Sequence, residues 1–206
     1  MTGSRRSAGR PGSCRSATRP AALAFATAQG VLERETARGG RRYLPDVGKV
    51  PSTPATRLLR ERSVEYTEHI YRYEERGGTR VSARELGVDE HAVVKTLVME
   101  NEQKAPLLVL MHGDREVSVK ALARLLGKKT IQPCRPEVAD RHTGYHVGGT
   151  SPFGTRRRMP VYLERSILDL PRIFVNGGSR GFLIGIAPAD LVRVLEPTPV
   201  EVAIEG

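Results

Sequence analysis

One loop of this sequence combines closely spaced glycines with a run of arginines, a composition suited to an anionic ligand. The segment GYHVGGTSPFGTRRRMP occupies residues 144–160 and is called the glycine loop below. A backbone without side chains allows a ligand to approach closely, and arginine side chains bind phosphates. A nucleotide phosphate is therefore the first ligand to consider.

The spacing of Gly149 and Gly154 matches the G-x-x-x-x-G of a nucleotide-binding P-loop, but the surrounding residues do not. A P-loop continues with Lys and then Ser or Thr, whereas this chain continues with Thr155 and Arg156. Pro152 also removes one of the backbone N–H groups that a phosphate cradle needs. These departures argue against a P-loop. A glycine-rich turn between two strands, followed by solvated arginines, stays open as an interpretation.

Lys95 is the second feature that points to chemistry, because it lies inside the apolar run AVVKTLV. A buried lysine is costly unless its amine has a partner. Strand alternation offers a simpler explanation, in which Lys95 faces solvent while Val94 and Thr96 lie on the other face. The pattern of residues alone leaves both interpretations open.

No catalytic nucleophile with a partner base can be identified. Ser151 is followed by a proline and lacks the G-x-S-x-G elbow of hydrolases. Cys134 is interpreted as a small apolar residue at a strand edge, and His69, His142 and His146 as surface or packing residues. No Cys/His cluster has the spacing of zinc ligands. We therefore expect neither a metal site nor a cofactor.

The positive charge of the chain is concentrated near its beginning. Of the formal net charge of +10, +7 falls on residues 1–49 and +3 on residues 50–206. Residues 1–30 are rich in Arg, Ser, Ala and Gly and contain no acidic residue, so residues 1–49 are expected to form a disordered basic extension. Its composition resembles an organelle transit peptide. We favour a dispensable extension, or an upstream stretch read as protein.

Residues 50–206 are expected to form one folded domain of a cytoplasmic protein. No apolar run approaches the ~20 residues of a membrane span. The sequence has 2 cysteines, one of them in the basic extension, so no disulfide framework is expected and a reducing cytosol fits best. The folded part is only mildly basic, and any nucleic-acid binding must depend on where its charges lie.

Hydrophobic periodicity predicts a mixture of helices and strands without a regular βαβ repeat. Helices are predicted in STPATRLLRER, GGTRVSARELGV, VKALARLLG, RPEVADRHTG and PADLVRVL, and strands in SVEYTEHIYRY, EHAVVKTLVME, APLLVLMHG, KKTIQPC, PVYLE, RIFVN, FLIGIA and VEVAI. In the first strand, Val64, Tyr66 and Ile70 are expected to face inward. Several strands are joined by short turns, which predicts the α+β class with a mixed, mostly antiparallel and curled sheet.

Four motifs, in this order, resemble those of the YbaK family, also called the prolyl-tRNA synthetase-associated domain. They are TPATRLLRERSVEY leading to Tyr71, VVKTLV around Lys95, TGYHVGGTSPFG over residues 143–154, and NGGSRG over residues 176–181. The resemblance covers about residues 52–197. It implies a barrel-like curled sheet flanked by helices. It also implies a trans-editing enzyme that hydrolyses the ester bond of a mischarged aminoacyl-tRNA.

The resemblance also implies roles for individual residues. Lys95 is implied to bind the phosphate of the terminal adenosine or the substrate carbonyl. Gly148 and Gly149 are implied to present backbone N–H groups to the developing oxyanion. The implied substrate-binding residues are Tyr71, Tyr145, Thr150, Ser151, Pro152, Gly154, Gly177 and Gly178. The implied tRNA-binding residues are Arg156, Arg157, Arg158 and Arg180, for which a solvated surface is the alternative.

The implied ligand is the 3′-terminal aminoacyl-adenosine of an aminoacyl-tRNA, with prolyl-tRNA synthetase as a further candidate partner and no membrane partner. Two departures argue against cysteinyl specificity. Gly77 and Gly78 lie where cysteinyl-specific members have an aromatic residue, and Leu183 lies where they have an acidic one. The rival functions are a non-catalytic tRNA- or synthetase-binding module and a small-molecule-binding regulatory domain.

Overall fold

The computed structural model describes residues 50–206, so the basic extension expected over residues 1–49 lies outside the described residues. The helices are α1 (Pro54–Glu61), α2 (Gly78–Leu86), α3 (Val119–Leu125), α4 (Pro136–Thr143) and α5 (Pro188–Leu195). The strands are β1 (Thr67–Ile70), β2 (Val93–Asn101), β3 (Pro106–His112), β4 (Arg115–Val117), β5 (Ile131–Pro133), β6 (Val161–Glu164), β7 (Ile173–Ser179), β8 (Phe182–Ile186), β9 (Thr198–Val200) and β10 (Ala203–Glu205). The five predicted helices are confirmed.

Short-range sequence signals determine where these helices begin and end. Thr53 caps α1 through a reciprocal capping box with Thr56, and Pro54 occupies the first turn. The Ser118 hydroxyl accepts the Ala121 N–H at the start of α3. Other helices of the described part end at a residue in the left-handed conformation, as α2 does at Gly87.

The strands form one mixed sheet and one separate pair. The main path is β1-β8-β7-β2-β3-β6-β9, β5 is a second neighbour of β2, and β10 pairs with β4. The β2–β7, β3–β6 and β6–β9 pairs are parallel, and the other pairs are antiparallel. The predicted α+β class with a mixed, mostly antiparallel sheet flanked by helices is therefore confirmed.

One edge of the central strand β2 is interrupted. Along this edge β7 pairs only with Val93 and Val94, and β5 begins to pair at Met99. The Val98 carbonyl also accepts the Cys134 N–H at 2.9 Å. Residues 95–97 of β2 therefore face a gap between β7 and β5, whereas their other edge is paired with β3.

Apolar side chains cover both faces of the sheet. Successive residues of β3 alternate between the faces, with Leu110 in one buried cluster and Val109 and Met111 in another. The first cluster contains Leu59 of α1 and Phe153 of the glycine loop, both fully buried. The loop is thus part of the core and is held by it.

The first predicted strand is shorter than expected. Only Thr67–Ile70 pairs, and it pairs with β8 alone at the end of the sheet. Val64 is buried as expected, but it precedes the strand, and its N–H donates to the Leu59 carbonyl. Ile70 is 36% exposed. The inward position predicted for Ile70 is therefore wrong, because a strand with one neighbour at the sheet end is not covered on both faces.

The last predicted strand is divided into two. β9 pairs with β6, whereas β10 pairs with β4 in the separate pair. At the junction the backbone N–H groups of Val202 and of Ala203, the first residue of β10, both donate to the buried Glu164 carboxylate at 2.9 Å. The Glu164 carboxylate thus accepts two backbone N–H groups at the point where the chain passes from its pairing with β6 to its pairing with β4.

Within residues 50–206, no helix combines the length and the apolar composition that crossing a membrane requires.

Candidate active site

A pocket of about 580 Å³ lies over the gap beside β2. Residues of β2 line it together with residues from the loop after β1, from α2, from the β5–α4 region, from the glycine loop and from β7 and β8. The volume is in the range of small-molecule sites. Of the predicted site residues, the pocket brings together Tyr71, Lys95, Gly148, Thr150 and Arg180.

Lys95 is half-buried in this pocket, and its amine is held. Its Nζ donates a hydrogen bond to the Gly113 carbonyl at 3.0 Å. Burial lowers the pKa of the Lys95 ammonium, and nearby carboxylates oppose that effect. The carboxylates are those of Glu116, Glu90 and Asp114. A lysine that merely faces solvent by strand alternation does not fit these contacts.

The Gly113 carbonyl belongs to a closely packed turn between β3 and β4. A Cβ on Gly113 would lie 2.7 Å from the Glu90 carbonyl oxygen and 2.8 Å from the Cβ of Thr79. The Thr79 hydroxyl contacts both the Glu90 carboxylate, at 2.7 Å, and the Gly113 oxygen, at 3.2 Å. Only glycine fits here without displacing the carbonyl that holds Lys95.

Two stacked histidines support the same turn. The rings of His91 and His112 have centroids 3.7 Å apart, and His91 Nδ1 lies 2.9 Å from the Asp114 carboxylate. His112 is fully buried; its Nδ1 donates to the His91 carbonyl, and its Nε2 accepts from the Ser166 hydroxyl. Burial lowers the pKa of His112. Both nitrogens of His112 contact protein groups, so this cluster supports the turn. The ligand atoms of His91, His112 and Asp114 also lie within 4.8 Å of one another, a spacing that could hold a metal ion.

Gly148 and Gly149 differ in their surroundings. Gly148 is exposed at the pocket with φ of +88°, and no described residue accepts its N–H. The Gly149 N–H donates to the His146 carbonyl at 2.8 Å, and the residue is buried. A Cβ on Gly149 would lie 2.8 Å from the Arg180 backbone nitrogen. The Gly149 N–H is therefore used within the loop, contrary to what was expected of it, and the oxyanion role expected of Gly148 stays a prediction.

Six residues expected to bind substrate lie outside the pocket wall and build the scaffold of the loop. They are Tyr145, Ser151, Pro152, Gly154, Gly177 and Gly178. The Tyr145 hydroxyl donates to the Phe153 carbonyl at 2.7 Å, and burial raises its pKa to about 12. Gly154 has φ of +62°, and a Cβ there would lie 2.7 Å from the backbone of Pro54. At Gly154 the space left by the missing Cβ is therefore taken by another part of the protein, and the substrate-binding roles expected of these six residues stay predictions.

The three consecutive arginines are exposed, outside the wall of the pocket. The N–H groups of Arg156 and Arg157 donate to the carbonyls of Thr143 and His142. This anchors the backbone of the run against the end of α4. Among the described residues, no carboxylate forms an ion pair with Arg156, Arg157 or Arg158. Their contact with tRNA stays a prediction.

Among the pocket residues that were not predicted from the sequence, three stand at informative positions. Tyr73 lines the pocket two residues after Tyr71, and this i, i+2 spacing was the available signal. Thr79 contacts the turn that holds Lys95. Thr96 lies in the gap of β2, and its Oγ1 is the one buried side-chain oxygen or nitrogen without a partner among the described residues.

The remaining candidates offer no nucleophile at the pocket. Cys134 lines it, but burial and the nearby Glu100 carboxylate raise the pKa of the thiol to about 11. The thiol is therefore protonated at neutral pH and a poor nucleophile. Leu183, 4% exposed, gives the wall an apolar side chain.

Residues 76–194 match the family model described as the aminoacyl-tRNA editing domain. A protein of Enterococcus faecalis provisionally named Cys-tRNA(Pro)/Cys-tRNA(Cys) deacylase EbsC is 31% identical over 143 residues, which are 69% of this chain and 87% of that protein. A proline–tRNA ligase of Thermodesulfovibrio yellowstonii is 36% identical over 90 residues, which are 44% of this chain and 15% of the ligase. The crystal structure of a provisionally assigned trans-editing enzyme for prolyl-tRNA synthetase has a TM-score of 0.64 and 22% identity, covering 75% of this chain and 99% of that one.

Proposed function

Because the chain belongs to the aminoacyl-tRNA editing domain family, we propose that it hydrolyses the ester bond between a wrongly attached amino acid and the 3′-terminal adenosine of a tRNA. The position of Lys95 supports this proposal most strongly. Its amine is half-buried in the pocket over the sheet gap and is oriented by the Gly113 carbonyl. The amine has one hydrogen-bond partner in the protein and lies at the pocket, where a substrate could reach it.

Lys95 and Gly148 are the groups that would act on the ester. An ammonium has three N–H donors, and Gly113 accepts one, which leaves two for a substrate phosphate or carbonyl. The exposed Gly148 N–H would donate to the oxygen that gains charge when the carbonyl is attacked. A donor of this kind typically accounts for 10²–10³ in rate, a range of about 2.7–4 kcal/mol.

The attacking group would come from outside the protein. The Cys134 thiol is protonated, and Ser151 is fully buried outside the pocket wall. Water, or a nucleophilic group of the substrate itself, would add to the ester carbonyl. The bond from that carbon to the ribose oxygen then breaks, and the ribose oxygen leaves with a proton as the free hydroxyl.

The pocket wall favours a small, uncharged aminoacyl side chain. Val98, Ala139 and Leu183 contribute apolar surface. Editing of small side chains is chemically necessary, because a binding site separates amino acids that differ by one methylene by only ~1–3 kcal/mol. The name of the Enterococcus faecalis relative makes cysteine the first amino acid to test, and the apolar Leu183 makes alanine the second.

The exposed arginines would bind the acceptor stem beside the pocket. Phosphate contacts position a nucleic acid without reading its sequence. The similarity to part of a proline–tRNA ligase makes tRNA(Pro) the first tRNA to test and prolyl-tRNA synthetase a candidate partner. An enzyme with this substrate would act in the cytoplasm, where aminoacyl-tRNA is used.

A deacylation panel tests the proposal. The full chain is incubated with tRNAs charged with cysteine, alanine, serine or proline, and the release of radiolabelled amino acid is measured. We expect faster release than without protein for at least one misacylated tRNA(Pro), and not for correctly charged Pro-tRNA(Pro). Tight tRNA binding without release of any amino acid would instead establish a non-catalytic binding module.

A further inference from the structure

The rim of the pocket carries an exposed arginine that is held in a defined position. The guanidinium carbon of Arg180 lies 5.4 Å from the ring centroid of Tyr73, an arrangement typical of a cation–π contact. Its Nε donates to the Val147 carbonyl at 3.0 Å. No carboxylate of the described residues pairs with it. The guanidinium is therefore fixed by a ring and a carbonyl, while its charge stays uncompensated.

Tyr73 is fixed in the same rim. A Cβ on Gly148 would lie 2.8 Å from the Tyr73 hydroxyl, and a Cβ on Gly181 would lie 3.5 Å from the Tyr73 Cβ. The ring thus packs between the glycine loop and the β7–β8 turn. Val147, 45% exposed, adds apolar surface beside it. All of these groups except Gly181 line the same pocket as Lys95.

We propose, on the basis of the proposed function, that Arg180 and Tyr73 form a stacking platform for the terminal adenine base of the tRNA. A guanidinium has two planar faces; its carbon in Arg180 lies over the Tyr73 ring, and the residue is exposed. Nucleobases stack on aromatic rings and on guanidinium planes, with Arg adding a cation–π contribution. Lys95 then acts at the ester end of the terminal nucleotide, and the platform positions its base.

The hydrogen bond of Arg180 removes one of the two ways in which a guanidinium binds a phosphate through paired N–H groups, and leaves the pair formed by Nη1 and Nη2. Arginine binds phosphate most strongly through two parallel N–H groups. The side-on pair that includes Nε is closed here, because Nε already donates to the Val147 carbonyl. Stacking of a base on the plane of the guanidinium uses no N–H group, so the hydrogen bond from Nε does not restrict it. Arg180 is thus a positioning residue for the base, distinct in role from the exposed arginine run.

Binding of uncharged acceptor-stem minihelices tests the platform without any chemistry. Two fluorescent RNAs are compared by anisotropy: one ends in CCA, and the other ends in CC followed by an abasic ribose nucleotide, so the phosphates are equal. The wild-type protein should bind the CCA end about 5- to 150-fold more tightly, the effect expected of one stacked base. Arg180→Lys keeps the charge but loses the plane, and should reduce this ratio to about 2 or less.

Further variants separate stacking from folding defects. Tyr73→Phe should retain the ratio and Tyr73→Ala should reduce it, with thermal unfolding measured for each. Arg124→Ala, which removes an exposed arginine from α3, should leave the ratio unchanged. If Tyr73→Ala does not fold, Arg180→Lys together with Tyr73→Phe still decides the question.

The proposal is overturned if Arg180→Lys keeps the full ratio, or if the wild-type protein binds both ends equally. An Arg180→Ala variant that loses ~0.7–0.9 of salt slope, with an unchanged ratio, would show a phosphate contact instead. The proposed function fails separately: a protein that prefers the CCA end but releases no amino acid refutes hydrolysis and keeps the platform. Hydrolysis without any preference for the terminal base refutes the platform alone.

Discussion

Replacing Lys95 by methionine should abolish most of the hydrolysis while leaving the stability of the fold nearly unchanged. Methionine is unbranched and apolar, so it fills the space of the lysine stem without its amine. The prediction separates a lysine that works on substrate from one that holds the structure together.

Two opposing terms determine the change in stability. Loss of the bond from Nζ to the Gly113 carbonyl costs at most ~1.5–3 kcal/mol for a charged donor. The cost is nearer the lower value, because the Lys95 side chain is only half-buried. The second term stabilises the variant. Burial of the Lys95 ammonium costs free energy, as its lowered pKa indicates, and an uncharged methionine does not carry this cost. The net change should therefore stay within ~1 kcal/mol.

The change in catalysis should be much larger. If the ammonium contacts the ester or the adjacent phosphate, its loss removes a charged donor from the transition state. Such donors account for about 10²–10³ in rate. Single-turnover hydrolysis at saturating enzyme measures this loss, and urea unfolding at pH 7 measures stability.

The matched control is Lys120→Met, which removes an exposed lysine from α3 and should change neither quantity. Normal hydrolysis by Lys95→Met would refute the catalytic assignment. Loss of hydrolysis together with more than ~3 kcal/mol of stability would show that Lys95 is needed for the fold and would refute the reasoning above.

Three further outcomes follow from the geometry. Gly149→Ala should lower the free energy of unfolding by ~1–3 kcal/mol, because its Cβ would lie 2.8 Å from the backbone of the β7–β8 turn; a urea midpoint equal to wild type would contradict this. Burial lowers the pKa of His112, so below pH ~6.5 the unfolded chain gains a proton that the native state resists. Stability should fall as the pH drops below about 7, less steeply in His112→Gln, and equal slopes would exclude His112 as the cause. Replacing Arg156, Arg157 and Arg158 by alanine should reduce the salt slope of tRNA binding by ~0.7–0.9 per lost phosphate contact, without slowing single-turnover hydrolysis; an unchanged slope would leave these arginines without a role in binding.

The helices could be predicted because their signals are local. Thr53, Ser118 and Gly87 are caps that act within one turn of a helix. The gap beside β2 could not be predicted in this way. It arises because β7 and β5, distant in the sequence, each cover only part of one edge. The division of the last strand likewise depends on Glu164, which lies 38 residues from Val202.

The motifs predicted the region of the site better than the role of each residue. Lys95 and Gly148 lie at the pocket as expected. Gly149 and Gly178 also lie in the predicted motifs, but their missing Cβ atoms make room for protein, at the Arg180 backbone and the Tyr145 ring. A glycine in a sequence indicates close approach, and it does not indicate what approaches. That distinction requires the packed structure.

The gap in the sheet also bears on how the protein avoids unwanted association. An open strand edge ordinarily invites another chain to pair with it, which leads to aggregation. Here the unpaired part of β2 is limited to three residues between β7 and β5, about 10 Å of strand. It lies in the wall of the pocket, between those two strands. An incoming strand of typical length, about five or six residues, is too long to pair within it, so this opening does not act as a free sheet edge.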